Sequence, residues 1–249
     1  MIACPSVPTV SSNGRSRCIR TPQMSPSTPR APKRFPLDPD GRVAAILLAL
    51  IFALGFLFAI TWLWVLTLIL LVIVCGFFRD PPRRVPRITG AVVSPADGKI
   101  VAIETNQDPR KGPVDGPCIS IFLSIFNVHV NRCPVAGRID SIQHQPGGFR
   151  NALKAESAID NDSIWVRMRN GPHQLVVRQI AGAIARRCVC RLHEGQTVRC
   201  GQRLGIIRFG SRTELYLPPE ARVQAELGQH VKGGVTVLAY LPEERSEGE

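Results

Sequence analysis

From Val43 to Phe78 the chain runs for 36 residues without a charged side chain. One helix crossing a bilayer needs about 20 apolar residues, so the run is too long for one simple span and suits two short ones. Both flanks are basic: Lys33, Arg34 and Arg42 precede it, and Arg79, Arg83, Arg84 and Arg87 follow. Positive charge is retained on the cytoplasmic side of a membrane, which puts both ends of the run on that side. The pattern therefore predicts a helical hairpin rather than one long tilted helix. Trp62 and Trp64 then fall near the far interface, where indole rings are favoured, and not at the bilayer centre. The run starts too deep in the chain, and is too long, for a cleaved signal peptide. The prolines of Arg79-Asp80-Pro81-Pro82-Arg83-Arg84 end it, because proline cannot continue a helix.

On either side the pattern changes. Residues 1–42 are rich in Pro, Ser, Thr and Arg without hydrophobic period, which predicts a disordered basic tail. From about Thr89 short apolar runs alternate with glycine turns, as in GKIVAIE, CISIFLSI, SIWVRM and HQLVVRQIAG, the signature of a mainly β domain. IAGAIARRCVC fits either a short helix or a strand. An internal echo sharpens the fold. GQTVRCGQRLGII from Gly195 and GQHVKGGVTVLAY from Gly228 share Gly-Gln-x-Val-x-x-Gly followed by an apolar strand, 33 residues apart. Paired hairpins of this kind recur in flattened β-barrels or sandwiches of the lipoyl type. The expected organisation is a tail (1–42), a membrane hairpin (43–78) and one β domain (79–249).

Composition adds a formal net charge of +12, of which the first 42 residues carry +5. Such a balance suits nucleic acid or an anionic membrane surface. No zinc-finger, RNP or P-loop pattern is present, and a nucleic-acid role leaves the apolar run unexplained. The eight cysteines form no CxxC pair, so no zinc site is predicted; reduced, mostly buried thiols are expected.

Three segments are candidates for chemistry. Asp97 lies in SPADGKI, where Asp-Gly is also an ordinary turn pair. His129 lies within the apolar FLSIFNVHVNRCP, where a lone histidine is more often structural. Gly210-Ser211 joins two strand patterns in IIRFGSRTELYLP, with Arg208 and Arg212 on either side; a plain β-turn is the simplest account.

Taken in this order behind an apolar N-terminal run, SPADG, FLS-x-x-x-x-H and IRFGSR-x-x-x-YLP resemble the phosphatidylserine decarboxylases, most closely their short bacterial form. The resemblance covers roughly Phe77 to Leu241. It implies a proenzyme that cuts itself between Gly210 and Ser211. Ser211 Oγ would attack the Gly210 carbonyl, and elimination would then leave a pyruvoyl group at the new N-terminus. The implied cofactor is that pyruvoyl group, derived from Ser211, which forms a Schiff base with the substrate amine. The implied site is Ser211, His129 as base and later proton donor, and Asp97 to orient His129, following the logic of a serine-histidine-aspartate triad. No soluble cofactor and no metal are implied. The implied partners are phosphatidylserine, an anionic membrane, and the chain's own two pieces, 1–210 and 211–249. The implied location is the cytoplasmic face of a bacterial inner membrane.

Two departures stand out. Long bacterial forms read D-Y-H-R-V-H where this chain has Asn127-Val128-His129-Val130-Asn131-Arg132, so Arg132 replaces a second histidine. Family members often carry Asn-Glu-Arg where Asn161-Asp162-Ser163 stands here. A non-enzymatic, membrane-anchored lipoyl-like adaptor is the alternative. A carrier of that type needs a lysine at its hairpin tip, and the tip here is Gly-Ser-Arg.

Overall fold

The computed structural model describes residues 37–148, 161–182, 187–207 and 211–242. The predicted tail lies mostly outside these, as does the Gly210 side of the Gly-Ser joint. The apolar run forms two helices, α1 (Pro39–Leu57) and α2 (Thr61–Phe77). Helix α1 begins ahead of the uncharged run, so residues 39–42, read as tail, form its first turn. Pro39 suits a helix start, and the Asp38 carboxylate accepts from the Asp40 N–H at 2.9 Å. A tight turn through Phe58 and Ala59 reverses the chain, closed by the Ile60 N–H on the Gly55 carbonyl at 2.9 Å.

The far ends of the pair also meet. Leu37 bridges Arg79, and the Asp38 N–H donates to the Phe78 carbonyl at 2.7 Å. Gly41 allows that closure: a Cβ there would stand 2.4 Å from Phe78. The predicted hairpin is thus the observed arrangement. Trp64 packs edge-on against Phe52 and Phe56, while Trp62 stays exposed beside the turn. Ile46, Leu47, Leu50, Leu54, Ile69 and Ile73 face outward. Helix α1 is long and apolar enough to cross a membrane; α2, at 17 residues, is shorter.

The rest is β, as expected. Its strands are β1 (Ala91–Val93), β2 (Gly98–Thr105), β3 (Pro117–Leu123), β4 (Val130–Arg132), β5 (Gly137–Gln145), β6 (Ser163–Asn170) and β7 (His173–Ala181). They continue as β8 (Cys188–Cys190), β9 (Thr197–Val198), β10 (Arg203–Ile207), β11 (Ser211–Tyr216), β12 (Arg222–Val223), β13 (His230–Val231) and β14 (Val237–Tyr240). Eight form one antiparallel sheet in the order β13-β2-β3-β11-β7-β6-β5-β9, curled into a half-barrel. Two small sheets, β4-β10-β8 and β1-β14-β12, complete the wall. Ile100, Ile121, Leu123, Ile139, Met168, Leu175, Leu204, Leu215 and Leu238 fill the core. The ambiguous segment after Ala181 ends as strand β8; residues 183–186 between lie outside the described set.

The sequence echo is a structural repeat. Gly195 and Gly228 take φ of 78° and 85°, and Gly201 and Gly234 take 72° and 73°. These left-handed values favour glycine, which is why the glycine spacing recurs. Each copy makes the same contacts: Gly195 N–H bonds the Ile139 carbonyl and Gly228 N–H that of Ile100, while Val198 and Val231 are both buried.

A buried ion pair joins the hairpin base to the β domain. The Arg132 guanidinium bonds the Asp80 carboxylate, the Pro81 carbonyl at 3.1 Å and the Gly201 carbonyl at 3.2 Å. Arg132→Ala should therefore destabilise the chain by roughly 3 kcal/mol or more, because Asp80 is left charged and buried without its cation. A denaturant titration in detergent checks this; a midpoint equal to wild type would contradict it.

Candidate active site

Ser211 opens β11, which lies in the middle of the large sheet. It pairs with Leu123 of β3 on one side and Ala181 of β7 on the other. Its side chain is fully buried, and Oγ has no hydrogen-bond partner among the described residues. An unsatisfied buried hydroxyl is uncommon in a native fold and calls for an explanation.

Strands β3 and β11 pair, and so do β4 and β10, with Val130 opposite Ile206. Residues 124–129 lead from β3 to β4. His129 ends that connection, and its carbonyl accepts the N–H of Ile207, the last residue of β10, at 3.3 Å. The fold thus brings His129 and Ser211 into one neighbourhood, although 82 residues separate them.

The histidine ring is fully buried and lies against Phe77 of α2, with ring centroids 4.3 Å apart. Nδ1 sits 2.9 Å from the Asn127 carbonyl. A carbonyl only accepts, so Nδ1 carries the proton and Nε2 the basic lone pair. Burial pulls the pKa down from 6.5 to about 4, with the Arg79 charge adding to the effect and the Asn127 contact opposing it. At neutral pH the ring is an uncharged base.

Asp97 stands elsewhere in the network. One carboxylate oxygen takes Arg83 Nη2 at 2.7 Å and the other takes the Gly233 N–H at 2.7 Å. The Asn127 carbonyl orients the histidine ring, while the Asp97 carboxylate is engaged by Arg83 and Gly233. The Ser94–Asp97 turn does touch the histidine strand, since the Pro95 carbonyl accepts the Arg132 N–H at 2.8 Å.

Sequence reasoning missed a buried polar trio beneath the joint. Asn131 Oδ1 accepts from Gln179 Nε2 at 2.7 Å, and Asn131 Nδ2 donates to Thr213 Oγ1 at 3.3 Å. Asn131 and Thr213 each lie two residues beyond His129 and Ser211, so the trio ties β4, β7 and β11 together. The available signal was polar residues at alternate positions in otherwise apolar strands. Arg212 faces the other way, bonding Ser120 Oγ at 2.7 Å and pairing with Glu214 at 3.1 Å, so it is a structural cation. The six described cysteines are free, and burial pushes the Cys133 thiol up to about 12.

A family model for phosphatidylserine decarboxylase matches residues 70–239. The chain belongs to the phosphatidylserine decarboxylase family. It is similar to the phosphatidylserine decarboxylase proenzyme of Nitrosomonas eutropha, with 44% identity over 194 residues, 77% of this chain and 89% of that one. The proenzyme of Burkholderia mallei is 42% identical over 204 residues, 81% of this chain and 92% of its own. That of Nitrosomonas europaea is 45% identical over 181 residues, 72% and 83% of the two chains. The matched region includes Asp97, His129 and Ser211.

The pKa of His129 has a consequence for stability. The unfolded chain protonates this ring near 6.5, while the folded one keeps it neutral down to about 4. The group's contribution is full above 6.5 and is lost as pH falls through the folded value. His129→Gln cannot titrate. In an uncut Ser211→Ala background, the denaturation midpoint should fall more steeply between pH 6.5 and about 4 with His129 than with glutamine. Equal slopes would contradict the buried neutral ring.

Proposed function

We propose that the chain is a self-cleaving, pyruvoyl-dependent decarboxylase that converts phosphatidylserine to phosphatidylethanolamine and CO₂ at a membrane surface. The observation that carries this is the buried Ser211 hydroxyl, unpartnered among the described residues, in a fold that brings a buried histidine into its neighbourhood. A hydroxyl is a weak nucleophile and needs a base. His129 takes the Ser211 proton, and Oγ attacks the Gly210 carbonyl, so that the peptide becomes an ester. Loss of the Ser211 α-proton then breaks the Oγ–Cβ bond. The Gly210 carboxylate leaves, and dehydroalanine remains. Water adds, ammonia departs, and residue 211 becomes the pyruvoyl group.

The buried position of Ser211 Oγ, without a partner among the described residues, suits that group, whose methyl carbon needs no polar partner. Once formed, it supplies a carbonyl that accepts the electrons released when the substrate's carboxylate leaves as CO₂. The chain's own residues do the rest. β11 holds residue 211 between β3 and β7. His129 moves the proton to the substrate's α-carbon. The anionic substrate raises the ring's pKa toward neutrality for that step, as a nearby negative charge does for any histidine. Asp97 serves as a positioning residue: through Gly233 it links the large piece to the small one.

The two pieces remain one body. Residues 211–249 supply β11, bonded on both edges, as well as β12, β13 and β14. Cysteine is absent from 211–249, so no disulfide is needed or possible. The hairpin anchors this unit in the bacterial inner membrane with the β domain on the cytoplasmic side. Arg79 and Arg83 turn inward to Phe126 and Asp97, whereas Arg84 and Arg87 are exposed and free to meet anionic lipid, at about 1 kcal/mol per cation.

Intact-mass analysis tests the reading. It should find chains ending at 210 and starting at 211, the small one lighter by one ammonia than its sequence. Ser211→Ala should stay uncut and inactive. A single uncut chain in active protein would overturn the proposal. His129→Ala should slow both maturation and CO₂ release by about 10²–10⁴-fold. With His129 present, the cutting rate should hold level as pH falls through 6.5, where an exposed histidine would already have lost half of its basic form. A fall centred on that pH would count against a buried base.

A further inference from the structure

Phe126 is the most exposed large hydrophobic side chain among the described residues, at 80%, and its neighbour Ile125 is exposed at 50%. They sit on the connection that carries His129. Their exposure is built, not frayed. Asn127 Oδ1 accepts both the Ser124 N–H and the Ser124 hydroxyl at 2.8 Å, and the Asn127 N–H returns to the Ser124 carbonyl at 3.0 Å. This closed turn pushes residues 125 and 126 outward while Val128 and His129 point in.

The turn is fastened to the base of the helix pair. Arg79 Nη2 donates to the Phe126 carbonyl at 2.6 Å, and Val128 packs with Leu37, Phe77 and Phe78. The exposed apolar pair is therefore continuous with the outward apolar faces of α1 and α2, at the level where α2 ends. We infer that Ile125 and Phe126 insert into the bilayer as a third point of lipid contact beside the helices. This rests on the membrane reading above and extends it. Burial in the acyl boundary removes both side chains from water, and the charged Arg84 and Arg87 nearby suit the headgroup layer. The same turn carries His129 on its inner side. A lipid whose chains lie along Phe126 thus presents its headgroup toward the buried site, and the pair forms the sill over which substrate passes.

The test places a photoreactive benzophenone amino acid at position 126 of the full chain, reconstituted in phosphatidylglycerol–phosphatidylserine vesicles. Position 51 on α1 is the membrane control. Position 114 is the solvent control, since Val114 lies beyond the opposite end of β3, about 20 Å away at roughly 3.4 Å per residue. Lipid adducts at 51 and 126 but not at 114 support the inference. Adducts at 51 without any at 126 overturn it and leave the hairpin anchor standing. No adduct at 51 overturns the anchor and this inference together, whatever the enzyme's chemistry.

A second measurement uses Ile125→Asp with Phe126→Asp in fully cut protein. The ratio of turnover on vesicle-borne phosphatidylserine to turnover on a monomeric short-chain form should fall roughly tenfold or more. An unchanged ratio overturns the inference.

Discussion

A serine hydroxyl buried without a partner among the described residues is the constraint on which the rest of this structure depends. Leaving such a group unsatisfied costs about 1–3 kcal/mol. The fold meets that cost by giving Ser211 no freedom. Its strand is bonded on both edges, and the Asn131–Gln179–Thr213 trio locks the layer beneath it. A hydroxyl already engaged in a strong hydrogen bond would have to break it before attacking a neighbouring carbonyl. Among the described residues no such bond has to be broken.

The same economy governs His129. Its ring is neutral because it is buried, and it is buried because the last residue of a membrane-type helix covers it. The anchor and the site are therefore one mechanical object. Phe77 touches the ring, Arg79 holds the turn before it, and Arg132 clamps the connector after the helix pair. Detaching the hairpin would hydrate the histidine, raise its pKa toward 6.5 and weaken it as a resting base in mildly acid conditions.

Features with a local period or a short motif were legible in the sequence. The 36-residue uncharged run predicts the helix pair, because its length and flanks exclude one simple span. The Gly-Gln-x-Val-x-x-Gly echo predicts the paired hairpins, because φ near 75° at fixed spacing favours glycine. The order of the three motifs points to the family, which the matching family model shows. What stayed hidden rests on pairings between distant segments. Asp80 and Arg132 are ordinary charges until the fold buries them together, and Asp97 reads as a histidine partner until Arg83 and Gly233 are seen on its oxygens. Arg132 illustrates the point: in a motif it stands where a second histidine is expected, whereas in space it is a clamp.

The central claim is that Ser211 Oγ itself attacks the Gly210 carbonyl, and the fate of one oxygen atom tests it most directly. The chain can be synthesised in a cell-free system with serine labelled by oxygen-18 at the hydroxyl and allowed to mature in ordinary water. Trypsin cuts after Arg208 and releases Phe209-Gly210 from the end of the large piece. Attack followed by elimination carries the serine oxygen into the Gly210 carboxylate, so this dipeptide should be heavier by the label. An unlabelled dipeptide would mean that water, not Ser211, cut the chain.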